Sequence, residues 1–181
     1  WNAIGRVQGQ FDTDLNTVGE AQADANGIKL KSLIADPGQF DFVASPLKRT
    51  RETMERIRRG MGLDPTAYKL DPLLKEVHFG DWQGFTLPEI GMVHPELLEA
   101  RHRDKWNFMP PGSEAESYAV LARRFAGWLA TVDHPAVCVT HGGIIRTLFY
   151  LTGTLGEQEA AKMSVPQDRV LKLERGKLLW Y

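Results

Sequence analysis

The sequence predicts an α/β fold, a three-layer α/β/α sandwich built on a mostly parallel sheet. Three observations predict it. Two short apolar runs, 40–44 and 136–139, each pass straight into a helix-like stretch. Helical and strand patterns alternate along the whole chain, and no repeat or low-complexity tract interrupts them. The 181 residues, 43% of them apolar and 25% charged, suffice for one domain with a sizeable core, so 1–181 reads as a single domain.

The first element is a helix. Asn16 caps it, and Ala21, Ala25, Ile28, Leu30 and Leu33 carry it to a stop near Asp36-Pro37-Gly38. Ahead of it, Gly5-Arg6-Val7-Gln8-Gly9 reads as a loop. The strand at 40–44 follows. Ser45-Pro46-Leu47-Lys48-Arg49-Thr50 then opens a second helix through Met54, Ile57 and Met61, with Pro46 in its first turn. Lys48, Arg49 and Arg51 oppose the helix dipole at this junction, an arrangement that an anion bound there would relieve. Arg49 is the candidate anion ligand; Arg51, Arg56, Arg58 and Arg59 read as a solvated basic face.

Residues 73–79 read as a strand or extended segment, and Glu76 lies there on apolar ground ahead of Gly80-Asp81-Trp82-Gln83-Gly84. A carboxyl in such a setting has its charged form disfavoured, which suits a general acid. Residues 85–117 form an insertion, helical over 87–108, whose Trp106, Phe108 and Met109 are expected to line a substrate pocket. A strongly periodic helix over 118–132 leads into the strand at 136–139.

That strand ends in Thr140-His141-Gly142-Gly143 and turns into a helix over 144–151. His141 and the backbone N–H groups that follow it would face the crevice beyond the strand ends, where α/β folds bind ligands and where a helix N-terminus favours anions. Arg169–Leu173 and Lys177–Tyr181 flank Glu174-Arg175-Gly176 as a closing hairpin.

Four motifs in this order resemble the histidine phosphatase superfamily, which includes the cofactor-dependent phosphoglycerate mutases. Trp1-Asn2 with Gly5-Arg6-Val7-Gln8-Gly9 is similar to the end of the family's Arg-His-Gly-x-Thr-x-Trp-Asn motif and its sequel. Ser45-Pro46-Leu47-Lys48-Arg49-x-x-x-Thr53 resembles the second motif. Leu74-x-Glu76-x-x-x-Gly80-x-Trp82-x-Gly84 resembles the third, and Val139-Thr140-His141-Gly142-Gly143 the fourth. The resemblance spans almost the whole chain. Two departures stand out: the family's Pro-Gly-Gly-Glu-Ser reads Pro111-Gly112-Ser113-Glu114-Ala115-Glu116-Ser117, so either Glu114 or Glu116 takes the family position, and Asp-x-Pro-Leu-Thr reads Asp12-Thr13-Asp14-Leu15-Asn16.

The resemblance implies a phosphomonoesterase that works through a phosphohistidine on a small phosphorylated metabolite. It implies Glu76 and His141 as catalytic residues and Asn2, Arg49, His141 and the Gly142 N–H as the phosphate cradle. Arg6 and Gln8 are implied as substrate contacts, with no cofactor and no metal. Arg-His-Gly, which carries the family's nucleophilic histidine, is expected just before Trp1, within roughly 5–15 further residues that supply an apolar strand of ordinary length and then this motif. The resembling mutases are generally longer, and Gly80-Asp81-Trp82-Gln83-Gly84 looks more like the shorter phosphatases, which favours hydrolysis over mutase-type transfer, the alternative; a non-catalytic phospholigand-binding protein is the other.

Other classes fit less well. His134, Cys138 and His141 have a suggestive spacing for a metal, but positions 138 and 141 face opposite sides of a strand and its exit. No Gly-x-Ser-x-Gly serine-hydrolase signature occurs. The net charge of −1 provides no field that would select nucleic acid or an anionic membrane. No apolar run has the length of a transmembrane helix or a signal-peptide core. Cys138 is the single cysteine, so an internal disulfide is excluded and a reducing, cytoplasmic compartment is expected. A homodimer is the candidate assembly.

Overall fold

The computed structural model describes residues 5–181. Helix α1 (Thr17–Leu33) starts where expected, because Asn16 Oδ1 accepts the Gly19 N–H at 2.9 Å. Strand β1 (Asp41–Ala44) leads into α2 (Lys48–Met61). Extended Leu47 is the cap residue of α2, so Pro46 lies just ahead of the helix instead of in its first turn. The two helices approach closely where Gly27 meets Gly60: a Cβ on Gly27 would stand 2.8 Å from the Ile57 carbonyl oxygen.

The central sheet has the order β2-β1-β3, all parallel, with β2 at Lys69–Leu70 and β3 at Ala136–Val139. Asp41 pairs with Ala136 and Ala44 with Val139. Side chains alternate across this ladder and divide the interior in two. Phe42, Ala44, Val137 and Val139 pack with Leu30, Met54, Ile57 and Met61 of α1 and α2. Val43 and Cys138 pack on the other face, against Leu121 and Phe125 of α5 (Tyr118–Leu129) and Ile144 of α6 (Gly142–Leu151). Helices on both faces make the three layers. The outer edge of β3 has no strand beside it among the described residues.

Three expectations are corrected. Only Lys69–Leu70 pairs as a strand in its region. Pro72 then forces a single 3-10 turn (Pro72–Leu74), capped by Asp71, and residues 75–79 are irregular instead of a strand. Arg58 is buried, not solvated: its guanidinium stands 4.3 Å over the Phe42 ring and its Nε donates to the Asp64 carbonyl at 2.7 Å. One helical turn from Met54 and from Met61, it shares their inward face. Trp106 does not line a pocket. It is 2% exposed, stacked on Tyr118 at 6.0 Å and tilted against Tyr150 at 4.5 Å.

The 85–117 segment contains α3 (Leu87–Val93), with a complete Thr86/Glu89 capping box, and α4 (Pro95–Arg103). Phe108 rests on Trp82 at 5.1 Å, and Met109 is exposed. Helix α7 (Glu157–Lys162) precedes the hairpin of β4 (Leu171–Glu174) and β5 (Lys177–Trp180). Arg175 and Gly176 both have positive φ at its turn, the twist that a tight antiparallel hairpin requires. No helix among the described residues is long and apolar enough to cross a membrane.

Candidate active site

Two parallel strands that end side by side bring their following helices to one point. The Ser45 N–H donates to the Val139 carbonyl at 3.0 Å, closing the gap between the two exits. Beyond it, Ser45 Oγ and His141 Nε2 are hydrogen-bonded at 2.7 Å, and both residues are buried. His141 is the cap residue of α6, with extended backbone. Burial, with the Arg49 and Arg124 charges adding to it, holds the imidazole well below the ordinary histidine range, so it is neutral at pH 7. Gly142 is the first residue of α6, and its N–H has no partner among the described residues. A free donor at a helix N-terminus beside a neutral imidazole suits an incoming anion.

Glu76 reaches the same helix from the irregular 75–79 segment. Both of its carboxyl oxygens accept the Gly143 N–H at 3.1 Å, and Oε1 also accepts the Val77 N–H at 2.9 Å. Burial of this carboxyl pushes its pKa above the ordinary value; the Gly143 and Val77 donors and the Arg146 and Arg49 charges oppose the shift without cancelling it. The result is a carboxyl that holds its proton longer than a surface glutamate does.

A clamp fixes the Glu76 segment. Arg124 of α5 makes a forked pair with Glu116, Nε to Oε1 at 2.9 Å and Nη2 to Oε2 at 2.8 Å. Its remaining donors reach the Leu73, Lys75 and Glu76 carbonyls at 2.7, 2.9 and 3.3 Å. Thr140 Oγ1 ties the β3 exit to the Leu74 carbonyl at 2.9 Å. Glu116, directly before the α5 cap Ser117, is therefore a structural partner, and its Oε2 also accepts the His78 N–H at 3.0 Å. Glu114 is exposed, with Oε2 3.5 Å from His78 Nε2.

Arg49, Glu76, His141, Gly142, Arg6 and Gln8 all border one cavity of about 1200 Å³. The Arg49 fork is occupied by loop carbonyls, Nη1 on Phe11 and Nη2 on Gly9, both at 2.8 Å. Arg6 is committed to Glu89 at 3.3 Å and to the Gly84 carbonyl. Asn2 lies outside the described residues. Cys138 turns into the α5–α6 layer, where burial pushes its thiol up to about 12, whereas His141 turns to Ser45.

Four participants were not singled out from the sequence. Ser45 stood in a motif but carried no role, because nothing local shows that its hydroxyl meets a histidine 96 positions away. Arg124 lay in the strongly periodic helix over 118–132, and neither Arg101 nor Arg146 was assigned a role. The displaced glutamate before Ser117 was the one available hint of the Arg124 clamp.

The family model of the histidine phosphatase superfamily (branch 1) matches residues 1–179. A glucosyl-3-phosphoglycerate phosphatase of Mycolicibacterium vanbaalenii is 32% identical over 158 residues, 82% of this chain and 67% of that protein. A metal-independent phosphoserine phosphatase of Arabidopsis thaliana is 32% identical over 154 residues, 82% of this chain and 62% of that protein. The solved structure of a mycobacterial glucosyl-3-phosphoglycerate phosphatase superposes with a TM-score of 0.73 at 28% identity, covering 91% of this chain and 79% of that one. The chain belongs to the histidine phosphatase superfamily and is one of its phosphoglycerate mutase-like phosphatases.

Proposed function

We propose that this phosphatase hydrolyses a small phosphorylated metabolite in two steps through a phosphohistidine. In the first, a histidine nitrogen attacks phosphorus while the bond to the alcohol oxygen breaks, and Glu76 gives its proton to that oxygen. In the second, the Glu76 carboxylate takes a proton from water as the water oxygen attacks phosphorus. The phosphorus–nitrogen bond breaks, and phosphate leaves with the histidine restored. The attacking imidazole is that of the Arg-His-Gly motif which the resemblance expects ahead of Trp1. Arg49, His141, the Gly142 N–H and Asn2 neutralise the phosphoryl oxygens, and Arg6 and Gln8 contact the rest of the substrate.

The observation that carries the reading is Glu76, a carboxyl with a raised pKa seated on the first turn of the helix that His141 caps. The relatives named for glucosyl-3-phosphoglycerate and phosphoserine support a small phosphomonoester as the substrate. A single domain over 1–181, with the 85–117 segment beside the site, a cytoplasmic location and a homodimer complete the proposal.

Glu76→Gln in the full-length protein tests it. Turnover of an alkyl phosphate should fall far more than that of p-nitrophenyl phosphate, whose leaving group needs little protonation; equal losses on the two substrates would remove Glu76 from the acid's role. Incubating 3-phosphoglycerate with a trace of 2,3-bisphosphoglycerate checks hydrolysis against transfer: phosphate release should exceed formation of 2-phosphoglycerate.

A further inference from the structure

A cavity of about 550 Å³ lies at the opposite end of β1 from His141 and Ser45. Its walls come from the start of β1 (Phe40, Asp41, Phe42), the last turn of α2 (Arg58) and the segment that leads into β2 (Leu63, Tyr68). Arg49 stands in the first turn of the same α2, about 13 Å from Arg58 along the helix axis.

The charged group that faces this space is the Arg58 guanidinium, and Arg58 is only 6% exposed. One flat face lies over the Phe42 ring at 4.3 Å, and Nε donates to the Asp64 carbonyl at 2.7 Å. The two Nη groups have no hydrogen-bond or ion-pair partner among the described residues. The acids around them are engaged elsewhere. Asp64 Oδ1 accepts the Thr66 N–H at 2.9 Å and the Thr66 hydroxyl at 2.8 Å. Asp41 pairs with Lys69 at 3.2 Å, and Glu55 accepts the Tyr68 hydroxyl at 3.2 Å. Burial disfavours the charged guanidinium, with the Asp64 charge opposing, yet an arginine keeps its proton near neutral pH. Unmet donors on a buried cation are costly, and a ligand that accepts from them removes that cost. The rest of the wall is apolar, with Phe40 and Tyr68 half-buried beside Phe42 and Leu63.

We propose that this cavity is a second binding site, for a small aromatic carboxylate, with the Arg58 Nη groups on the carboxylate and the ring against Phe40 and Tyr68. A planar guanidinium edge matches a carboxylate in paired hydrogen bonds. The aromatic walls favour a ligand with a ring to withdraw from water, which a bare phosphate or sulfate lacks. The volume is within the range of small-molecule sites. Such a site is independent of the reaction at Glu76.

Benzoate is the probe, with benzamide (the same ring without the charge) and acetate (the charge without the ring) as controls. Each is titrated into the full-length protein in excess inorganic phosphate, which occupies the phosphoryl cradle, and binding is read by protein NMR. Benzoate should bind about tenfold or more tightly than either control. Arg58→Gln should weaken benzoate about tenfold, leave benzamide nearly unchanged, and keep p-nitrophenyl phosphate turnover within about twofold of wild type. If Arg58→Gln does not fold, the wild-type comparison of benzoate with its controls decides. Equal affinities for benzoate and benzamide, displacement of benzoate by phosphate, or unchanged benzoate affinity in Arg58→Gln would overturn the site. So would the absence of benzoate binding; a lower apparent mass of Arg58→Gln in gel filtration would then assign the cavity to a contact between two copies of the chain.

Discussion

Glu76 and Gly143 stand so close that only glycine fits: both carboxyl oxygens lie 3.1 Å from the Gly143 nitrogen, and a Cβ at position 143 would come 2.1 Å from Glu76 Oε1. Gly143→Ala must therefore displace the acid. A shift of about 1 Å at a catalytic group costs on the order of 10²-fold, so kcat/KM on an alkyl phosphate should fall by about that factor. Steady-state kinetics beside the wild type checks it; a change within a few-fold would show that the carboxyl need not sit on α6.

The raised pKa of Glu76 has a direction in pH. Its proton is held above the ordinary value of 4.5 and is lost as pH rises through the folded value. Alkyl phosphate turnover should accordingly decline on the alkaline side, with p-nitrophenyl phosphate turnover declining less. Profiles of kcat against pH on the two substrates should separate there.

His141 works in the opposite sense on stability. Burial lowers its pKa, so the unfolded chain binds a proton that the folded chain does not, over the interval from the ordinary 6.5 down to the folded value. The stability that comes from keeping it neutral is present above 6.5 and is lost as pH falls through that interval. Thermal unfolding followed from pH 8 to pH 5 should show this loss, and His141→Gln should flatten it.

Arg124 holds the Glu76 segment to α5. Arg124→Ala leaves Glu116 without its cation and three backbone carbonyls without a donor, which should cost about 2–4 kcal/mol. Arg124→Lys keeps the charge and loses the fork, so it should recover only part of that. Denaturant unfolding of the two variants gives the comparison.

Trp106 is a core residue despite its place in the segment beside the cavity. Trp106→Ala should cost about 3–5 kcal/mol of stability, as for other buried aromatic truncations. Equilibrium unfolding measures it, and a loss below about 1 kcal/mol would contradict the packing on Tyr118 and Tyr150.

Local rules carried the reading of this chain wherever a signal acts over a few residues. Asn16 caps α1 because its side chain needs only the N–H three positions on. The apolar runs of β1 and β3, the Gly-Gly turn after His141 and the Glu174-Arg175-Gly176 turn were legible for the same reason, and so was Glu76 as a carboxyl on apolar ground. What tertiary structure alone decided depends on partners far along the chain. Lys69–Leu70 is a strand only because Val43 and Ala44 offer it an open edge. Arg58 is buried because Phe42 is there to cover it, and Trp106 because Tyr118 and Tyr150 arrive from other helices. Glu116 was separable from Glu114 only through Arg124. Caps, turns and periodicity are written in neighbouring residues, whereas burial and charge pairing are properties of groups that the folded chain brings together.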